Sequence, residues 1–150
     1  MDLDDLRYPI GRFEAPISVS PAHVQAWIDD IERLPALLHA AVEPLTADQL
    51  ETPYRPGGWR VRQVVHHLAD SHLNSFIRFK WALTETRPTI KAYSEALWAE
   101  LPDYSNVPVA TSLQLLDALH QRWVGLLRGF SPAAWQREFV HPDSGPFVSM

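Results

Sequence analysis

The sequence contains no cysteine, which excludes disulfides, thiolate metal ligands and a cysteine nucleophile. Any thiol chemistry would need a thiol brought by a substrate. Nor is there a stretch approaching the roughly 20 apolar residues that span a bilayer. The amino terminus, Met1-Asp2-Leu3-Asp4-Asp5-Leu6-Arg7, lacks the basic start and apolar run of a signal peptide. A cytoplasmic protein with no membrane partner is expected. Thirteen basic residues are scattered among 18 acidic ones, for a net charge of -5, so no electrostatic footprint for a phosphate backbone exists and nucleic acid is not an expected partner. Three catalytic templates are also missing: a His-Glu-x-x-His pair, a phosphate-cradling glycine loop with its lysine, and a nucleophile-elbow serine between glycines.

What is present suits one packed helical domain. The 150 residues are 46% hydrophobic, with six Trp, six Phe and four Tyr, enough apolar surface for a single sizeable core. Residues 1–19 hold Pro9, Gly11 and Pro16 without helical period, which predicts an extended arm anchored by Tyr8, Ile10 and Phe13. Ser20-Pro21 is a helix start. From there Val24, Trp27, Ile28, Ile31, Leu34, Leu38 and Val42 recur at threes and fours, which predicts an amphipathic helix over 21–42. Pro35 falls inside it and predicts a kink. A second helix is predicted over about 59–86 from Val61, Val64, Val65, Leu68, Phe76, Phe79 and Leu83, and a third over about 111–129 from Leu116, Leu119, Trp123, Leu126 and Leu127. Between them lies a proline-marked crossover, residues 87–110, with a short helix around Ser94–Leu101.

The chain echoes itself. Leu45-Thr46-Ala47-Asp48-Gln49-Leu50 leads to Arg55-Pro56-Gly57-Gly58, and Phe130-Ser131-Pro132-Ala133-Ala134-Trp135 leads to His141-Pro142-Asp143-Ser144-Gly145. Each follows a long helix and passes through a short capped turn into a Pro/Gly loop. The first loop delivers the chain into the second helix, so the echo predicts a fourth helix after the second loop, beyond Met150. An all-α four-helix bundle with most of its fourth helix lying past this sequence is the expected architecture.

Seven histidines are the chemical feature to sort, because imidazole is the commonest ligand for zinc and nickel. On the second helix Gln63, His67, Asp70, Ser71, Asn74 and Arg78 fall on one line. Such a strip is either a solvated face or a polar groove inside a bundle. Asp70, one turn beyond His67, is placed to orient an imidazole from behind, as carboxylates commonly do for metal-bound histidines. His66 points about 100° away from His67 and cannot share an ion with it. His66 and His72 read as packing or hydrogen-bonding residues. His120, between Leu116 and Trp123, is a weaker ligand candidate against a core histidine. His23, His39 and His141 receive no catalytic role.

Tyr8-Pro9-Ile10-Gly11, Tyr54-Arg55-Pro56-Gly57-Gly58-Trp59, Arg62-Gln63-Val64-Val65-His66-His67-Leu68-Ala69-Asp70-Ser71-His72, Ile77-Arg78-Phe79-Lys80 and His120-Gln121-Arg122-Trp123 together resemble the YfiT branch of the DinB-like superfamily, in order along essentially the whole chain. The resemblance implies an up-down four-helix bundle, a homodimer, and a divalent ion such as zinc or nickel held by three histidines. One ligand maps onto His67. The other two belong to a His-x-x-x-His motif on the last helix, which would follow Met150. The implied activity is metal-dependent hydrolysis of a small-molecule substrate. Its alternatives are transfer of a low-molecular-weight thiol to an electrophile, or a non-catalytic helical dimerisation module.

Overall fold

The computed structural model describes residues 3–14, 16–143 and 145–148. Ser144 in the second echo loop and the end of the chain at Ser149 and Met150 lie outside the described residues. Three long helices dominate: α2 (Pro21–Val42), α4 (Val61–Thr84) and α7 (Val109–Arg128), each within two residues of its predicted bounds. Short helices α1 (Leu3–Arg7), α3 (Ala47–Leu50), α5 (Glu95–Trp98) and α6 (Pro102–Asn106) punctuate the connections. No helix among the described residues is long and apolar enough to cross a membrane.

Local chemistry sets the boundaries. The Ser20 hydroxyl accepts from the His23 amide while His23 Nδ1 accepts from the Ser20 amide, both at 3.2 Å, a reciprocal cap with histidine where glutamate usually stands. Thr46 and Gln49 cap α3 in the same way. The predicted helix around Ser94–Leu101 is found as the shorter α5, and a further short helix, α6, follows it, opened by Pro102 at a position where its missing N–H costs nothing.

Helix α7 is the centre of the bundle and packs against both α2 and α4. Ile28 of α2, Phe76 of α4 and Leu119, Trp123, Val124 and Leu127 of α7 form the main buried cluster, and Val42, Val65 and Leu113 form a second one near the other end. Burying apolar side chains of this size is worth about 1.5–3 kcal/mol each, so these two clusters are the main source of stability. At the rim Arg128 grips Glu32 with two nitrogens, at 2.8 and 2.7 Å. His39 also joins α2 to α7. Its two ring nitrogens lie 2.7 Å from Glu43 and 3.1 Å from Asp117. Both partners are acceptors, so the pairing requires an imidazolium, and Glu43 first and Asp117 second raise its pKa above the ordinary value.

Two expectations are corrected. The amino-terminal arm is not wholly extended, since Leu3–Arg7 is helical. Its proposed anchors are not buried either: Ile10 is 99% and Phe13 81% exposed. The second correction lies after α7, where the Pro/Gly loop is the turn of a hairpin pairing β1 (Glu138–His141) with β2 (Gly145–Val148). Val140 also exchanges backbone bonds with the crossover, donating to Pro88 at 2.8 Å and accepting from Ile90 at 3.0 Å. Arg137 closes the end of α4 by donating to the Ala82 and Glu85 carbonyls.

The hairpin gives the internal echo a physical form. After α3, Tyr54 donates to the Trp59 carbonyl at 3.0 Å and Val61 to Thr52 at 3.1 Å, so the first loop is also a narrow antiparallel ribbon. Its turn needs Gly57, whose φ of 67° lies in the left-handed region.

Pro35 does not stop α2, which runs through it with the ring buried. Lacking an N–H, it leaves the Ile31 carbonyl four residues earlier without its helical partner. His120 of α7 supplies one, its Nδ1 lying 2.5 Å from the Ile31 oxygen. Removing His120 should therefore strand a carbonyl, and His120→Ala should cost about 2–4 kcal/mol. In a Pro35→Ala background the helix recovers its own donor, so the same substitution should cost about 1–2 kcal/mol less. Urea unfolding of the four proteins of this cycle measures the difference, and equal costs in both backgrounds would show the bond to be incidental.

Candidate functional site

The polar line on α4 faces neither open solvent nor the bundle centre. The crossover lies over it. Gln63 is 4% exposed and fully engaged: its side-chain amide donates to the Ala99 carbonyl at 2.9 Å, and its oxygen accepts from the Arg60 amide at 3.0 Å. Two turns on, burial raises the Tyr93 pKa above the ordinary tyrosine value, with nearby Ser71 opposing the rise. Asp70 accepts from the Tyr104 hydroxyl at 2.6 Å, and Asn74 donates to the Asp70 carbonyl at 2.9 Å. Burial, reinforced by Asp70, holds the Tyr104 hydroxyl in its protonated form far above the ordinary tyrosine range.

His67 sits midway along this line under the edge of Trp59, ring centroids 4.8 Å apart. Its Nδ1 is buried and has no hydrogen-bond partner. Burial pushes its pKa down, against the opposing pull of Glu95 and then Asp70, so at neutral pH the ring is an uncharged imidazole. Asp70 thus touches the His67 site through its charge alone, and its hydrogen bond goes to Tyr104 rather than to the imidazole. Tyr104 was not legible as a site residue, because its one signal is a position after Pro102 in an aperiodic crossover.

Of the other histidines, His66 shares with His67 a pKa lowered by burial and a buried ring nitrogen, Nε2, without a hydrogen-bond partner, but its other nitrogen is bound across the bundle. His66 points to α7, its Nδ1 2.7 Å from the Ser112 hydroxyl. His120 is 2% exposed, and both of its ring nitrogens are taken, Nδ1 by Ile31 and Nε2 by His72 Nδ1 at 2.8 Å. That leaves His120 no lone pair for a metal. The Ile31 oxygen can only accept, so His120 carries its proton on Nδ1. Its Nε2 must then accept from His72. Burial, with smaller contributions from His120 and His67, lowers the His72 pKa to about 4. His23 is spent on its cap, and His141 Nδ1 lies 3.3 Å from the Asp143 amide.

An uncharged imidazole with a buried, unpaired ring nitrogen has the donor chemistry of a metal ligand. The residues around His67 fit one corner of such a site. Among the described residues no three His, Asp or Glu side chains come together to hold an ion.

The three-long-helix bundle, with the partly buried His67 on the α4 line beside the crossover, is an arrangement shared with known proteins. Residues 30–150 match the family model of the DinB superfamily, and the chain belongs to that family. It is 54% identical over 143 residues to a protein of Bacillus mycoides strain KBAB4, covering 95% of this chain and 82% of that one. A Bacillus cereus protein matches at the same identity and coverage. Both carry the name "putative metal-dependent hydrolase". Among solved structures, YfiT from Bacillus subtilis superposes with a TM-score of 0.92 at 49% identity, over 97% of this chain and 83% of that one. It is described as "a probable metal-dependent hydrolase with an unusual four-helix bundle topology". The fold is of this DinB/YfiT four-helix-bundle type.

The interior histidines make stability depend on acid. His72 is depressed from 6.5 in the unfolded chain to about 4 in the folded one, so the unfolded state takes up the proton first. Its contribution is complete above pH 6.5 and is lost as pH falls through about 4. The urea midpoint should therefore drop across that window, and His72→Asn should flatten the drop. An equally steep fall in the variant would assign the acid sensitivity elsewhere.

Proposed function

We propose that the protein is a metal-dependent hydrolase in which His67 supplies one ligand to a divalent ion, zinc or nickel. The observation that carries this reading is the His67 ring itself, uncharged through burial, with Nδ1 buried and bound to nothing, against Trp59 on the α4 line it shares with Asp70 and Ser71. Proteins 54% identical bear metal-dependent hydrolase names, which supports the same class. Two further histidines, in the His-x-x-x-His arrangement that the resemblance implies, would complete the ligand set. When bound, such an ion acts as a Lewis acid and lowers the pKa of water to near neutrality.

The chain's own residues have separate tasks. Trp59 packs its indole on one side of the His67 ring and limits rotation of the ligand. Asp70, held by Tyr104, keeps a fixed negative charge near it. Gln63 ties the crossover to α4 one turn before His67 by donating to the Ala99 carbonyl.

Titration with zinc or nickel tests the assignment. His67→Ala should weaken binding by at least about tenfold, since even the loss of a residue behind a ligand costs roughly that much, while the helical circular dichroism stays unchanged. Equal affinity with and without His67 would overturn the reading.

A further inference from the structure

Among the described residues, side chains tie α2 to α7 at three levels, and pH acts on them differently. Arg128 holds Glu32 at 2.7 Å and Asp29 at 3.5 Å through a guanidinium that keeps its charge at any physiological pH. His120 reaches the Ile31 carbonyl as an uncharged ring. The third tie lies in the last turn of α2, where His39 sets Nδ1 2.7 Å from Glu43 and Nε2 3.1 Å from Asp117 of α7. Both carboxylates can only accept. An imidazolium donates to the two at once, whereas a neutral ring has a single N–H and turns its remaining lone pair on a carboxylate oxygen.

We propose that His39 is a pH-operated clasp: protonated, it fastens the last turn of α2 to α7, and on deprotonation it lets that turn go. Beside it runs an open groove of about 670 Å³ lined by residues of α2 and α7. The charged and titratable groups facing His39 are Glu43 and Glu32 from α2 and Asp117, His120 and Arg128 from α7. Glu32 and Arg128 neutralise each other, and His120 is uncharged with both nitrogens bonded. The two carboxylates touching the ring are therefore unopposed, and they raise its pKa above the ordinary 6.5, Glu43 ahead of Asp117. With the side chain 29% exposed, solvent can take the proton directly. A positive charge in the last turn also suits the helix dipole. Exposed ion pairs are individually weak, and α2 stays held at Ile31 and Glu32, so the release is confined to the turn that ends at Val42. The clasp's contribution is complete below pH 6.5 and is lost as pH rises through the raised value in the folded chain, opposite in sense to that of His72.

Ring NMR of His39 and amide hydrogen exchange, followed across neutral and alkaline pH, test the clasp in the wild-type chain, Glu43→Gln, Asp117→Asn and His39→Gln. The His39 midpoint should lie above 6.5 and fall in both carboxylate variants. Amide exchange in the last turn of α2, corrected for base catalysis, should step up severalfold through that midpoint. His39→Gln should lose the step and exchange at the faster rate throughout. A midpoint that falls in Glu43→Gln but stays put in Asp117→Asn would reduce the contact to a pair within α2 and overturn the clasp. Corrected exchange in the wild-type chain that passes the midpoint without a step would overturn it too, whether or not the variants fold well.

Discussion

One carbonyl group organises the interior of this bundle. Pro35 takes away the donor that the Ile31 oxygen would have had within α2, and a buried oxygen without a donor is costly. His120 reaches across from α7 to fill the gap at 2.5 Å. The consequence passes on: an acceptor at Nδ1 fixes the His120 proton there, its Nε2 becomes an acceptor, and His72 of α4 must donate to it at 2.8 Å. One proline on α2 thereby links all three long helices through directional bonds, at a depth where apolar packing alone gives little orientational preference. Trp123 packs its edge on both imidazoles and joins this polar chain to the apolar cluster.

Fixing α4 rotationally matters for the site, because His72 and His67 belong to the same helix. With His72 turned to α7, helical geometry turns His67 roughly 140° away, beneath the crossover. There its surroundings differ from those of His120. Both rings are held neutral by burial, but His120 has both nitrogens committed while His67 keeps a buried nitrogen with no partner. The same residue type is thus used once as a structural link and once as a candidate ligand, and hydrogen-bond satisfaction separates the two.

Periodicity made the long helices legible. The stripes from Val24 to Val42 and from Leu116 to Leu127 are deep and regular, and Ser20-Pro21 marks a start that few other conformations can use. The alignment of His67 with Gln63, Asp70 and Ser71 was legible for the same reason, since it depends only on 3.6 residues per turn. What covers that line was not. Tyr93 and Tyr104 sit in a crossover without period, and the bond from Tyr104 to Asp70 is set by where α6 comes to rest. Asp70 looked like a partner for His67 because sequence shows neighbours on one helix but not the tyrosine arriving from 34 residues away. Pro35 announced a helix distortion, while its actual effect lies in the free carbonyl and its partner 89 residues on. The β-hairpin was hidden because its four-residue strands are too short to show alternation, although the echo with residues 45–58 pointed to a turn at that place.

The placement of protons on the histidine rings tests this account most directly. Long-range proton–nitrogen correlation NMR at pH 7.5 distinguishes protonated from unprotonated ring nitrogens in each imidazole. The account predicts that His120 and His72 both carry their proton on Nδ1, with an unprotonated Nε2. A His120 ring protonated on Nε2 alone would contradict it, since that ring could not donate to Ile31.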